Sequence, residues 1–217
     1  MKRTAREWLI RVIILMAGLT VAHFGVTLFL IAELGSDPFN VMIQGLYRSL
    51  AGALPFLTHG RVHIGVCLLI IIALLAIDRR YVKIGTILCM ICGGPIIDLF
   101  TALLGPLGVQ AWALPARVAV LALGCVILAY GMTIVIQSDA GTGPNDLVAV
   151  IISDKLRRKF SVVRVAVDVC FVAAGWLLGG TAGIGTVICA FLVGPVAGAF
   201  LPVNGRMVAR ILKRASL

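Results

Sequence analysis

The sequence predicts an all-α membrane protein: six transmembrane helices arranged as two inverted three-helix repeats, with short interfacial or re-entrant helices after spans 1 and 4. Three observations predict it. The 217 residues are 61% hydrophobic and 13% charged, against about 45–50% and about 25% in soluble domains. The apolar residues fall in runs long enough to cross a bilayer. And the two halves of the chain match one another. A soluble domain would need far more Lys, Glu and Asp to cover itself, so the composition argues against a water-soluble enzyme, a disordered chain and a DNA-binding domain.

Six segments supply the spans, roughly 8–32, 61–78, 83–105, 116–137, 161–179 and 183–203. A helix rises about 1.5 Å per residue, so about 20 apolar residues cross the hydrocarbon. The first segment is too long for a cleaved leader, and Glu33-Leu34-Gly35 is a poor cleavage site. The second and fifth are short but sufficient. Stretches 38–50 and 144–157 are apolar but interrupted by Arg48, Asp154 and Lys155, and are too short to cross. They are expected to lie at the interface or to dip part-way into the bilayer. The chain reads as one integral membrane domain over 1–217. Repeat 1 covers about 8–105 and repeat 2 about 114–203, with short basic cytoplasmic tails at 1–7 and 204–217.

The net charge of +10 follows the topology of these spans. Lys2, Arg3, Arg6 and Arg11 lie at the N-terminal end, and Arg79, Arg80 and Lys83 in the second loop. Lys155, Arg157, Arg158 and Lys159 fill the fourth loop, and Arg206, Arg210, Lys213 and Arg214 the C-terminal end. The alternate loops hold only Arg48, Arg61 and Arg117. Six spans with both termini cytoplasmic satisfy the positive-inside rule throughout. These clusters are expected to meet anionic lipid headgroups and not nucleic acid. The six cysteines lie in apolar runs without framework spacing and are expected to pack, including the Cys89 and Cys92 pair inside a span. There is no Ser-His-Asp constellation, no His-rich metal cluster and no Gly-Lys phosphate loop. No enzyme activity, metal or cofactor is expected.

The internal repeat carries the most information. "RVIILMAGLTVAHFGVT" (11–27) aligns with "RVAVLALGCVILAYGMT" (117–133) at an offset of 106, so Arg11, Gly18, Gly25 and Thr27 meet Arg117, Gly124, Gly131 and Thr133. The same offset sets "GSDPFN" (35–40) on "GTGPND" (141–146). At an offset of 100, "IGTILCMICGGP" (84–95) lies on "IGTVICAFLVGP" (184–195). Each half has three spans, an odd number, so the second enters the membrane from the opposite side. Inverted repeats of this kind are common in secondary transporters.

Irregular segments at matching positions of two halves point to a site. The first pair is Gly35 to Pro38 and Gly141 to Pro144, each a turn followed by a helix N-terminus with Pro at a position that needs no N–H. The second pair is Gly94-Pro95 and Gly194-Pro195, where proline is expected to kink spans three and six around a shared central cavity. Ionisable residues inside spans are rare and mark function. The deepest are His23, Asp98 and Asp168. Asp98 is expected either to couple a proton or to cap the Pro95 kink. Asp168 follows Arg164 by four residues, so the two can pair. Glu33, Asn40, Asn145, Asp146, Gln44 and Asp139 gather near the two turns, and Asn40, Gln44 and Arg48 form one stripe at helical spacing. Coupling or substrate contact is therefore expected among Asp98, Asp168, Arg164, His23, Asn40, Asn145, Asp146 and Glu33.

The order "GSDPFNVMIQGL", "RVHIGV", "KIGTILCMICGGPIIDL", "GTGPNDLVAVI", "FSVVRVAVDV", "GIGTVICAFLVGPVAG" resembles the YczE/YitT-like group of bacterial multi-span membrane proteins over nearly the whole chain. The resemblance implies a multi-pass protein of the bacterial inner membrane; it supplies no substrate. The repeat and its paired turns are expected to serve a small transporter or exporter of a small solute, with its site near the midplane. The alternatives are an accessory or substrate-capture subunit working with a partner complex, and a channel. A homo-oligomer is a further expectation.

Overall fold

The computed structural model describes residues 4–158 and 160–215. Lys2, Arg3 and Lys159, counted above among the charge clusters, lie outside the described residues. Among those described the chain is all-helical, with no strand. Its helices are α1 (Ala5–Ala32), α2 (Pro38–Ala51), α3 (His59–Ile77), α4 (Ile84–Leu104), α5 (Leu114–Ser138), α6 (Pro144–Leu156), α7 (Phe160–Leu177) and α8 (Ile184–Ala215).

Helices α1, α3, α4, α5 and α8 are long and apolar enough to cross a membrane. Large apolar side chains stand on the outside: Phe191 is 78% exposed and Leu69 68%. Such surface is stable only against lipid or another protein. The chain is a multi-pass membrane protein. Helix α7 has 18 residues and carries Arg164 and Asp168.

The centre of the bundle is the crossing of α1 on α5. Small residues let two backbones approach closely, and four glycines do so here. A Cβ on Gly18 would lie 2.9 Å from the Gly131 carbonyl oxygen, and one on Gly25 2.7 Å from that of Gly124. The helices run antiparallel, so the start of each meets the end of the other. Arg11 donates to the Ser138 carbonyl at 2.9 Å, and Arg117 to the Ala32 carbonyl at 2.8 Å. Each guanidinium thereby satisfies orphan carbonyls at a partner helix's C-terminus.

The turns after α1 and α5 require glycine. Gly35 has φ +115° and Gly141 φ +151°, a region L-residues rarely adopt. A Cβ at Gly35 would also lie 2.8 Å from the Thr186 amide nitrogen, and one at Gly141 2.6 Å from that of Thr86. Each turn is pinned by the start of a helix from the other half. The Gly85 N–H donates to the Ala140 carbonyl at 3.1 Å, and the Gly185 N–H to the Leu34 carbonyl at 2.8 Å.

Two expected elements gain detail and one expectation is corrected. First, α2 packs one face into the bundle. Phe39, Asn40, Val41, Ile43, Gln44 and Gly45 are buried, and a Cβ on Gly175 of α7 would lie 2.5 Å from the Met42 amide. Phe39 and Ile43 pack with Val62 and Cys67 of α3. Second, α4 and α8 are continuous through Pro95 and Pro195. Gly94 admits α3, since a Cβ there would collide with the Gly60 carbonyl, whereas Gly194 faces open space. Third, 204–215 is no tail but the end of α8, and α1 already begins at Ala5. Asn204 is buried and its Nδ2 donates to Thr133 Oγ1 at 2.7 Å, while Val208 packs with Ile14 and Ile134. These contacts hold the extension helical beyond its apolar stretch.

Outside the spans, Asp78 begins the loop between α3 and α4. It accepts from the Arg80 side chain at 2.8 and 3.1 Å and from the Arg80 N–H at 3.1 Å. These bonds hold its carboxyl down at about 2. A carboxylate whose pKa is lowered by folding stabilises the fold above its unfolded value and ceases to do so as pH falls through the folded value. The loop is therefore expected to loosen between about pH 4 and pH 2. Cleavage within residues 75–81 by an acid-active protease checks this, and Asp78→Asn should remove that pH dependence.

Candidate functional site

Asp98 sits on α4 opposite the start of α3. Its Oδ1 accepts the Gly60 N–H at 2.9 Å and its Oδ2 the Thr58 hydroxyl at 2.5 Å. Thr58 in turn accepts the Arg61 N–H at 3.1 Å. The first turn of a helix has donors with no intrahelical partner, and Asp98 and Thr58 satisfy them together. Asp98 thus caps a neighbouring helix. Asp98→Asn keeps one acceptor oxygen for two donors, so it is expected to cost about 1–3 kcal/mol. Thermal unfolding in detergent reads this. An unchanged melting temperature would remove the cap assignment.

The turn before α2 carries a second group. Asp37 caps α2 by accepting the Asn40 N–H at 3.3 Å, and its other oxygen accepts Asn40 Nδ2 at 2.8 Å. That orients the Asn40 amide, leaving Oδ1 facing His59 Nε2 at 3.1 Å. Since an amide oxygen only accepts, His59 carries its hydrogen on Nε2.

Arg164 of α7 joins two carboxylates. It donates to Asp146 at 2.6 Å and to Asp168 at 3.0 Å. Asn145 donates to the same Asp146 oxygen at 3.1 Å. Asp168 keeps one buried oxygen, Oδ1, without a hydrogen-bond partner. No hydrogen bond or ion pair among the described residues joins this triad to Asp37 and Asn40.

His23 stands apart from both. It faces His63, with ring centroids 5.7 Å apart, and Phe39 meets His63 at 5.4 Å. Two open grooves lie elsewhere. One of about 480 Å³ is lined by Val203, Arg206, Met207, Arg210, Ile211 and Arg214. Another of about 560 Å³ is lined by Trp8, Leu9, Val12 and Ile84.

Of the residues named from the sequence, Asn145, Asp146, Arg164 and Asp168 come together. Asn40 and Asp98 do not join them. Glu33 is exposed in a left-handed helix end, φ 49°, and contributes its carbonyl to Arg117. Gln44 accepts the Thr181 N–H at 2.7 Å and Arg48 bonds Gly179 and Thr181, so the rest of that stripe secures the loop before α8. Sequence reasoning missed His59, His63, Thr58 and Asn204. The signal for the histidines was their spacing of four, which puts both on one face of α3. Among the described residues no group of three or more His, Cys, Asp or Glu is arranged to hold a metal ion. The cysteines are free thiols, with Cys125 and Cys189 sulfurs 3.5 Å apart across α5 and α8.

Residues 9–202 match a family of unknown function, DUF6198. The chain belongs to this family. It is 29% identical over 198 residues to the uncharacterized membrane protein YczE of Bacillus subtilis (strain 168), covering 91% of this chain and 88% of that protein. It is 26% identical to an uncharacterized protein of Haemophilus influenzae, with 89% and 84% covered, and 25% identical to the uncharacterized protein YyaS of Bacillus subtilis, with 87% and 91% covered. No solved structure matches. These relatives agree with the YczE-like resemblance in the motifs, and DUF6198 membership adds no substrate to it.

Proposed function

We propose that this DUF6198 protein is a small secondary transporter, built around a half-buried polar site, that moves a small cationic solute across the bacterial inner membrane. The observation that carries this reading is the triad Asp146, Arg164 and Asp168. Ionisable residues are expensive at membrane depth and face a substrate or ion path. One guanidinium stands between two carboxylates, and Asp168 Oδ1 is unpartnered, a balance that favours a cation.

The inverted-repeat arrangement belongs to the same proposal, with α7 as the sixth span and α2 and α6 as half-helices entering from opposite sides. Its support is that equivalent residues exchange partners. Gly18 approaches Gly131, and Gly25 approaches Gly124. Arg11 ends α5, and Arg117 ends α1. Gly85 bonds Ala140, and Gly185 bonds Leu34. Crossed pairs of this sort are what a two-fold relation generates. Both termini are cytoplasmic in this reading. The Arg206, Arg210 and Arg214 groove then faces anionic headgroups.

The test is flux in proteoliposomes loaded with a panel of small organic cations, zwitterions and anions, with and without a pH gradient. Saturable cation flux, lost in Asp168→Asn, is expected. Absence of saturable flux for every class, or steady single-channel currents, would overturn the transporter reading.

A further inference from the structure

The chain has three histidines, and the fold gathers all of them among α1, α2, α3 and α4. His59 and His63 share a face of α3. His59 Nε2 is engaged by Asn40, whereas His63 meets His23 edge-on. Gly93 of α4 forms the floor beneath that pair. A Cβ on Gly93 would lie 2.8 Å from His23 Nε2 and 3.1 Å from His63 Nε2. Both nitrogens converge on one small space, open only because residue 93 lacks a side chain.

Hydrogen bonding fixes one of the two rings. His23 Nδ1 lies 2.9 Å from the Leu19 carbonyl oxygen. A carbonyl only accepts, so Nδ1 carries the hydrogen and Nε2 of the neutral ring presents a lone pair. The second ring is unconstrained: His63 is buried and its Nδ1 has no hydrogen-bond partner. A buried polar atom left unpaired destabilises a fold and calls for an explanation.

We propose that His23 and His63 together bind one exchangeable proton between their Nε2 atoms over Gly93, and that this proton is the coupling ion of transport. The second half of the proposal rests on the transporter reading; the first does not. Uptake places a proton from water on the Nε2 lone pair of His23. The resulting imidazolium donates to the Nε2 lone pair of His63, whose own hydrogen sits on Nδ1. Release reverses both steps, with one proton and one positive charge gained and lost.

The other titratable groups around the pair are accounted for. α3 brings His59 and the Cys67 thiol, and α4 brings Asp98, Cys89 and Cys92. Asp98 is committed to Thr58 and Gly60. The turn before α2 brings Asp37, bonded to Asn40. On α5, Cys125 faces Cys189 and Tyr130 packs on Phe200. Arg164 of α7 bonds Asp168 of the same helix and Asp146 of α6, and α2 adds Tyr47, which packs with Phe39.

The experiment follows the histidine nitrogens of the full-length chain, 15N-labelled and held in lipid nanodiscs, from about pH 8 to about pH 5. His23 is expected to show the Nδ1–H tautomer at the upper end, and His23 and His63 to shift together through one shared midpoint. In His63→Asn that midpoint should move for His23 by about one pH unit or more. Separate midpoints, or no proton uptake by either ring, would overturn the site. So would a zinc-induced rise in melting temperature that His63→Asn abolishes. If the pair takes up its proton while no flux answers a pH gradient, the transporter reading falls and the site stands. If flux is proton-driven and His63→Asn leaves that dependence intact, the coupling role falls.

Discussion

Gly25→Leu is expected to leave almost no folded protein in the membrane. A Cβ at residue 25 would lie 2.6 Å from the Leu128 amide nitrogen and 2.7 Å from the Gly124 carbonyl oxygen. Those are backbone atoms at the centre of the α1–α5 crossing and cannot rotate aside. The helices would have to separate, uncoupling the Arg11 and Arg117 bonds at both ends. Overpacking costs about 1–3 kcal/mol in an ordinary core, and a backbone-on-backbone contact lies at or above the upper end. A control is built into the chain. Gly65 has nothing within 4 Å of its Cβ position, so Gly65→Ala should be neutral or stabilise by about 0.5–1 kcal/mol. Monodisperse recovery after detergent extraction separates the two. Normal recovery of Gly25→Leu would refute the tight crossing.

Arg164→Met is the second large effect. It strands Asp146 and Asp168, whose side chains are 29% and 26% exposed. Breaking a buried pair from one side costs about 3–5 kcal/mol, and partial exposure places this case near 3. The destabilisation comes from the abandoned carboxylates and not from a missing attraction. The triple variant Arg164→Met, Asp146→Leu, Asp168→Leu is therefore expected to recover most of the melting temperature while losing any flux. If the triple variant is no more stable than the single one, the carboxylates are not the source of the loss.

The helices were legible because their ends carry chemistry: Pro38 and Pro144 at helix starts, Gly35 and Gly141 in left-handed turns. The α1–α5 crossing was legible as four glycines at one offset, though which glycine faces which was not. Direction of approach is a tertiary property, and an offset gives equivalence without contact. Asp98 was misplaced for the same reason. Its closeness to Pro95 in sequence suggested a kink, but its partners lie about 40 residues away on α3. Arg164 with Asp168 could be read from helical spacing alone, whereas Asp146 joined them only through packing of α7 against α6. Asn204 was hidden in a basic stretch that hydropathy marks as outside the membrane, yet one buried amide holds it to Thr133.

The crossed backbone bonds between the halves bear on how the chain is made. When α1 to α4 have left the ribosome, the Leu34 carbonyl and the Gly85 amide have no partners, because these are Gly185 and Ala140 of the later half. The four-glycine crossing is equally absent until α5 arrives. The first half can make its own α2–α3 and α3–α4 contacts, but both turns and the glycine crossing close only with the second half. Final packing is a post-insertion event that closes both turns together, and separately synthesised halves should be degraded unless supplied at the same time.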